Sequence, residues 1–253
     1  MANSKYEYVK LFEVEDKLMP STWIVVRIDG RHFQQFSEEH EFEKPNDERA
    51  LKLMNACAKA TIEEFPDIVF SYGFSDEYSF VFKKTTEFYN RRSSKIVSVT
   101  VSFFTSVYVM KWKEFFLDKD LKSAPSFDAR TICYPSTKIV RDYLARRQDV
   151  CHINNQYNTC LWMLIGSGMT ESEAQAELVG KQKQDKNEIL FQRFHINYAE
   201  LPAIFRKGSC VFKVRETDSG ISVKRGRTEV VIDHCDIIRD KFWKNHVNIL
   251  KDK

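Results

Sequence analysis

With 253 residues, 43% of them hydrophobic, the chain is long enough for one large domain or for a domain with a substantial helical extension, and a cooperative core is expected. Lys+Arg (39) nearly balances Asp+Glu (36), so the net charge of +3 excludes a function argued from bulk charge; any RNA surface must come from how the charges are distributed. The six cysteines form no CxxC pair, Met1 is followed by no secretory h-region, and no uninterrupted membrane-length apolar run is evident, so reduced thiols and a cytoplasmic or nuclear setting are expected.

The first strand signal is Trp23 to Gly30, rich in β-branched residues and ending on an aspartate and a glycine. Asn46 or Asp47 can then cap a helix whose apolar side carries Leu51, Met54 and Ala58, with Pro66 beyond its end. Ile68–Phe74 and Tyr78–Phe82 read as two strands meeting at a polar turn, Ser75-Asp76-Glu77. Phe88 to Phe116 contains no Pro or Gly and predicts a long helix with its valines (Val97, Val99, Val101) buried against a sheet. Phe127 to Tyr134 reads as a strand. The order β-α-β-β-α-β is that of a ferredoxin-like split unit, an α+β fold with an antiparallel sheet that offers one face to helices and the other to ligand chemistry. From Ser136 to about Leu190 the pattern is mainly helical, with Ile139, Tyr143 and Leu144 on an inner stripe and a capping box at Thr170-Glu171-Ser172-Glu173. Cys210–Val214 and Val230–Ile232 suggest a small late β element. This divides the chain into a ferredoxin-like core over 1–135 and a mainly helical extension with a small late β element over 136–253, the two forming one integrated domain.

Asp29 ends an apolar strand, where a carboxylate needs water, a cation or donors. Asp76 and Glu77 occupy the second constrained turn, and the supersecondary order brings them towards Asp29. Converging carboxylates plus the Gly30 carbonyl make a hard-oxygen site suited to Mg²⁺, and two ions would divide the work between attacking and leaving oxygens. Acidic turn residues with no metal are the plain alternative. Lys44, Ser75 and Lys95 are local candidates for triphosphate oxygens. Glu77 is the weaker direct ligand, because adjacent strand residues point oppositely. The basic clusters Lys83-Lys84, Arg91-Arg92, Arg146-Arg147 and Lys224-Arg225-Gly226-Arg227 fit an RNA approach path or ordinary solvated charge.

Several ordered blocks carry a more specific signal: Val26-Arg27-Ile28-Asp29-Gly30-Arg31, Phe42-Glu43-Lys44-Pro45-Asn46-Asp47, Tyr72-Gly73-Phe74-Ser75-Asp76-Glu77-Tyr78-Ser79-Phe80, His152-Ile153-Asn154-Asn155-Gln156-Tyr157-Asn158, and Lys186-Asn187-Glu188-Ile189-Leu190-Phe191. Through them the sequence resembles the tRNA-histidine guanylyltransferase family, in its eukaryotic form. The resemblance implies a core like the palm of polymerases. It implies Asp29, Asp76 and the Gly30 carbonyl as metal ligands, Glu77 as an accessory catalytic acid, and Asp29, Gly30, Arg31, His32, Phe33, Gln34, Ser75 and Asp76 as nucleotide contacts. His152, Asn155, Asn158 and Lys186 are implied to face tRNA. The implied reaction uses ATP to adenylylate the 5′-phosphate of histidine tRNA, GTP to attack it, and pyrophosphate removal to leave one guanylate at position −1. The implied assembly is a homotetramer of paired dimers. A template-dependent 3′–5′ polymerase for tRNA 5′-end repair, and a noncatalytic RNA-binding module, are the competing readings.

Overall fold

The computed structural model describes residues 4–215 and 228–251. The Lys224–Arg227 cluster lies outside the described residues. Six strands form one antiparallel sheet in the order β4-β1-β3-β2-β5-β6: β1 (Trp23–Gly30), β2 (Ile68–Phe74), β3 (Glu77–Phe82), β4 (Phe127–Tyr134), β5 (Ser209–Arg215) and β6 (Thr228–Asp233). The first four strands, with α2 (Glu48–Glu64) and α3 (Ser93–Phe115), make the split β-α-β-β-α-β unit, a palm-like α+β core. A short helix, α1 (Phe33–Glu39), follows β1 directly.

Alternation along the strands decides which helices go where. Ile24, Val26, Ile28, Phe80 and Phe82 face α2 and α3. Trp23, Val25, Phe70, Tyr72 and Val81 face the other way, onto α4 (Thr137–Gly166) and α8 (Asp240–Asn245). The second sheet face is therefore covered, not left open for a ligand as the strand order alone suggested. Ile237, Phe242 and Trp243 from the C-terminal segment seal it.

Local signals act as expected in several elements. Asp47 caps α2 by accepting from the Arg49 amide, and Thr170 with Glu173 forms a complete capping box on α5 (Glu171–Leu178). Two stripes differ from expectation. On α3 the buried residues are Ile96, Thr100, Phe104, Val107, Tyr108 and Trp112, while the valines at 97, 99 and 101 are only partly covered. The sheet is contacted every three to four residues, so alternate valines cannot all face it. On α4, Val140 and Leu144 point inward and Ile139 is 40% exposed. By length and composition α3 could also cross a membrane, although no such run was expected; here its large rings pack on the sheet. The distal half of α4 packs on α5 and on α6 (Lys183–Phe194) through Cys160, Leu161, Leu164, Leu178 and Leu190.

Candidate functional site: an acidic strand end beside a cleft

The register places Asp29 on β1 directly opposite Glu77 on β3. Directly opposed residues in an antiparallel pair share a face, so both project towards α4. Asp76 sits one residue before β3, in the turn where Ser75 adopts φ 51°. Its backbone carbonyl accepts from the Gly30 amide at 3.0 Å, and a side chain placed on Gly30 would come within 2.9 Å of Asp76 Oδ2. Asp76 Oδ2 thus lies against Gly30 at the strand end, while Asp29, the residue before Gly30, projects from the face turned to α4.

The three acids have different surroundings. Asp29 is partly exposed, with Arg27 Nε 3.7 Å from its Oδ2. Asp76 accepts from the Ser75 hydroxyl at 3.0 Å, and among the described residues no lysine or arginine pairs with it. Burial, with the charge of Asp29 added, pushes its carboxyl above the ordinary range. Glu77 is buried, and both its oxygens are taken by Arg147 of α4, with Nε at 2.8 Å and the second contact through Nη2. Asp29 and Asp76 therefore keep free lone pairs, whereas Glu77 is engaged.

A cleft of about 400 Å³ opens beside Asp76. It gathers Phe33, Gln34, Lys44, Ser75, Asp76 and Asn158 from the residues expected to act. Trp162 lines it too, as do Phe42 and Asn46, which the sequence marks only as part of a family block and, for Asn46, as a possible helix cap; the Lys44 ammonium lies 5.4 Å from the Trp162 ring centre. Asp29, Gly30, Arg31 and His32 do not line the cleft. Arg31 and His32 are exposed, and His32 takes a left-handed conformation (φ 53°) that turns the chain into α1. The amides that open α1 have no acceptor within that helix. Lys95 is exposed on the first turn of α3, about 14 Å along the helix from Phe104 at a rise of about 1.5 Å per residue. It is not brought to the cleft.

The residues expected to face RNA separate. Asn158 is at the cleft, but Asn155 is buried, accepting from Asn46 at 2.9 Å and donating to the Tyr198 hydroxyl at 3.0 Å. His152 lines a second cleft of about 470 Å³ with Lys183, Asn187, Phe191 and Arg206. Burial, with Lys183 and Arg206 nearby, holds its pKa down. Lys186 is half-buried with its ammonium on the Lys181 carbonyl, so Lys183 and Arg206 supply the cations of that cleft. A signal for Arg147 existed in the sequence: it falls on the stripe Val140, Leu144, Cys151, Asn155 that turns inward, where an arginine requires a partner.

Mg²⁺ can be tested against these donors. Among the described residues no group of three His, Cys, Asp or Glu side chains is placed to hold a metal. Carboxylates and a backbone carbonyl are the kind of hard-oxygen donors that magnesium takes, the rest of its shell coming from water and phosphate oxygens. A partly buried Asp76 that has no cationic partner among the described residues and feels the charge of Asp29 would be relieved by such an ion.

The split β-α-β-β-α-β sheet with its helices places the chain in the class of palm-like α+β folds. The family model described as tRNAHis guanylyltransferase matches residues 6–135, and that of the Thg1 C terminal domain matches 138–239. The chain belongs to the tRNA(His) guanylyltransferase family. It is 58% identical over 96% of its length to tRNA(His) guanylyltransferase 1 of Arabidopsis thaliana, covering 43% of that protein, and 52% identical to a probable tRNA(His) guanylyltransferase of Dictyostelium discoideum, covering 100% of each chain. The chain spans about half the length of the Arabidopsis relatives it matches. The crystal structure of the Saccharomyces cerevisiae tRNA(His) guanylyltransferase superposes with a TM-score of 0.79 at 47% identity, over 82% of this chain and 93% of that one. A bacterial guanylyltransferase-like protein in complex with ATP shares the fold, with a TM-score of 0.75 at 20% identity and 96% of both chains covered.

Proposed function

We propose that this chain adds one guanylate to the 5′ end of histidine tRNA, at position −1. Family membership supports the reaction, and one observation carries the site: an Asp76 carboxylate with no lysine or arginine partner among the described residues, lining a nucleotide-sized cleft and close enough to Asp29 to feel its charge. ATP adenylylates the 5′-monophosphate and releases pyrophosphate; the GTP 3′-hydroxyl then attacks that phosphorus and AMP departs. Removal of pyrophosphate from the new end completes the cycle.

The chain's own part is positioning and charge. Asp29, Asp76 and the Gly30 carbonyl would hold two Mg²⁺ ions. When bound, Mg²⁺ stabilises phosphate charge and lowers the cost of forming the attacking oxyanion. Lys44, exposed at the cleft, pairs with triphosphate oxygens. Asn158 presents an amide to the nucleotide or the RNA end from the opposite wall. His152, with Lys183 and Arg206, faces tRNA from the second cleft. A homotetramer of paired dimers is part of the proposal, and sedimentation analysis of the protein tests it.

The test is incubation with 5′-monophosphorylated histidine tRNA, ATP, GTP and Mg²⁺, resolved by product length and nucleotide identity. One added guanosine is expected. Extension confined to truncated, templated tRNAs would favour the end-repair polymerase, and no addition to either substrate would remove the enzymatic reading.

A further inference from the structure

Glu77 lies opposite Asp29, next in sequence to Asp76, yet it is the acid least available to a cation. Its carboxylate is held at both oxygens by a guanidinium from another part of the chain, and both partners are largely buried, with side chains 9% and 13% exposed. The contact has a second anchor. One helical turn before Arg147, the Tyr143 hydroxyl meets the Ser79 hydroxyl at 2.7 Å, two residues along β3 from Glu77. Four residues of helix advance about 6.0 Å and two residues of strand about 6.8 Å. The two contacts therefore match in spacing and fix α4 along β3. The Arg147 guanidinium carbon also lies 5.5 Å from the Phe74 ring centre, which limits its other rotamers.

The consequence is electrostatic as well as mechanical. Three carboxylates converge on one strand end, and Arg27 approaches Asp29 only loosely, at 3.7 Å. Arg147 cancels the third charge and directs it towards α4, leaving Asp29 and Asp76 as the free pair. The same helix carries Asn158 to the cleft and His152 to the second cleft.

We propose that Arg147 is a positioning residue: by gripping both oxygens of Glu77 it keeps that carboxylate out of the cation site and sets the register of α4 against the acidic strand end. The proposal rests on the reading of Asp29 and Asp76 as cation ligands. Releasing Glu77 gives the site a third free carboxylate, which binds a divalent ion more tightly and in the wrong arrangement.

The experiment measures Mn²⁺ affinity of the full chain by electron paramagnetic resonance, without nucleotide, alongside guanylate addition. Arg147→Gln is expected to tighten Mn²⁺ binding at least threefold while addition falls at least tenfold. Arg147→Lys, which keeps the charge but loses the two-pronged grip, should fall between. In Glu77→Gln/Arg147→Gln, which has no surplus carboxylate, Mn²⁺ affinity should return to within twofold of the starting protein. A purely structural salt bridge would not tighten cation binding, nor would the double substitution reset it. Unchanged or weaker Mn²⁺ affinity in folded Arg147→Gln overturns the proposal; if that variant does not fold, the double substitution and Arg147→Lys decide, and a double variant whose affinity differs from the starting protein by more than twofold overturns it. Asp29→Ala separates the two readings. If it leaves Mn²⁺ binding intact, the cation site itself is misassigned; if it abolishes binding while the Arg147 variants behave like the starting protein, only the role of Arg147 fails.

Discussion

At Gly30 the space a side chain would fill is already taken by the Phe33 ring, 2.6 Å away, and by Asp76 Oδ2 at 2.9 Å. Gly30→Ala therefore has to displace the carboxylate or the ring. Guanylate addition should drop by at least an order of magnitude while circular dichroism stays that of the starting protein; unaltered activity would mean that the position of Asp76 is not critical. Asp76 supports a second prediction, on stability. Burial, and secondarily Asp29, raise its pKa, so the folded chain holds that proton more tightly than the unfolded chain. The resulting stabilisation is fully present below the unfolded value of about 3.9 and is lost as pH rises through the folded value. Asp76→Asn in cation-free buffer should then raise Tm at pH 7, with the gain shrinking as pH falls towards 4. A variant that melts lower than the starting protein at pH 7 would contradict this. Both acids were visible in the sequence because each interrupts an apolar strand. The Gly30 contact was not, since it depends on how β1 and the Ser75-Asp76 turn approach each other.

The long helix α4 joins two kinds of polar residue that look alike in the sequence. Asn155 is buried and bonded to Asn46 and Tyr198, whereas Asn158, three residues on, is exposed at the cleft. Asn155→Ala strands two partners and should cost about 1–3 kcal/mol in urea unfolding. Asn158→Ala should stay within about 0.5 kcal/mol, as surface changes do, yet reduce guanylate addition. Equal stability losses in the two variants would reverse this division of roles. The helix itself was legible from composition, and its inner face only in part: Leu144 was correct, Ile139 was one position off the buried stripe, and Arg147 passed as a surface charge. Apolar periodicity locates a stripe to within a residue or so, which is enough to put Arg147 on the inner face, but it does not say which acid across the sheet is its partner.

Seen whole, the molecule does not separate where its two family segments meet. β5, from the second segment, pairs with β2 over Phe70↔Phe212 to Gly73↔Ser209, and α4 and α8 cover Trp23, Phe70 and Tyr72. A chain ending at 135 would expose both the β2 edge and that apolar face, and it should be insoluble or unfolded; a soluble, cooperatively melting 1–135 fragment would show otherwise. The ferredoxin-like order was legible because each of its elements has its own local pattern. The covering of the second face was not, because it is a long-range pairing between segments about 140 residues apart. The central claim is that Asp29 and Asp76 together carry nucleotide transfer. The most direct test compares guanylate addition with tRNA affinity in Asp29→Ala and Asp76→Ala. Loss of metal-mediated charge stabilisation predicts a fall in rate of about 10²–10³-fold or more, with tRNA affinity within threefold of the starting protein. Addition near the starting rate in both variants would contradict the claim.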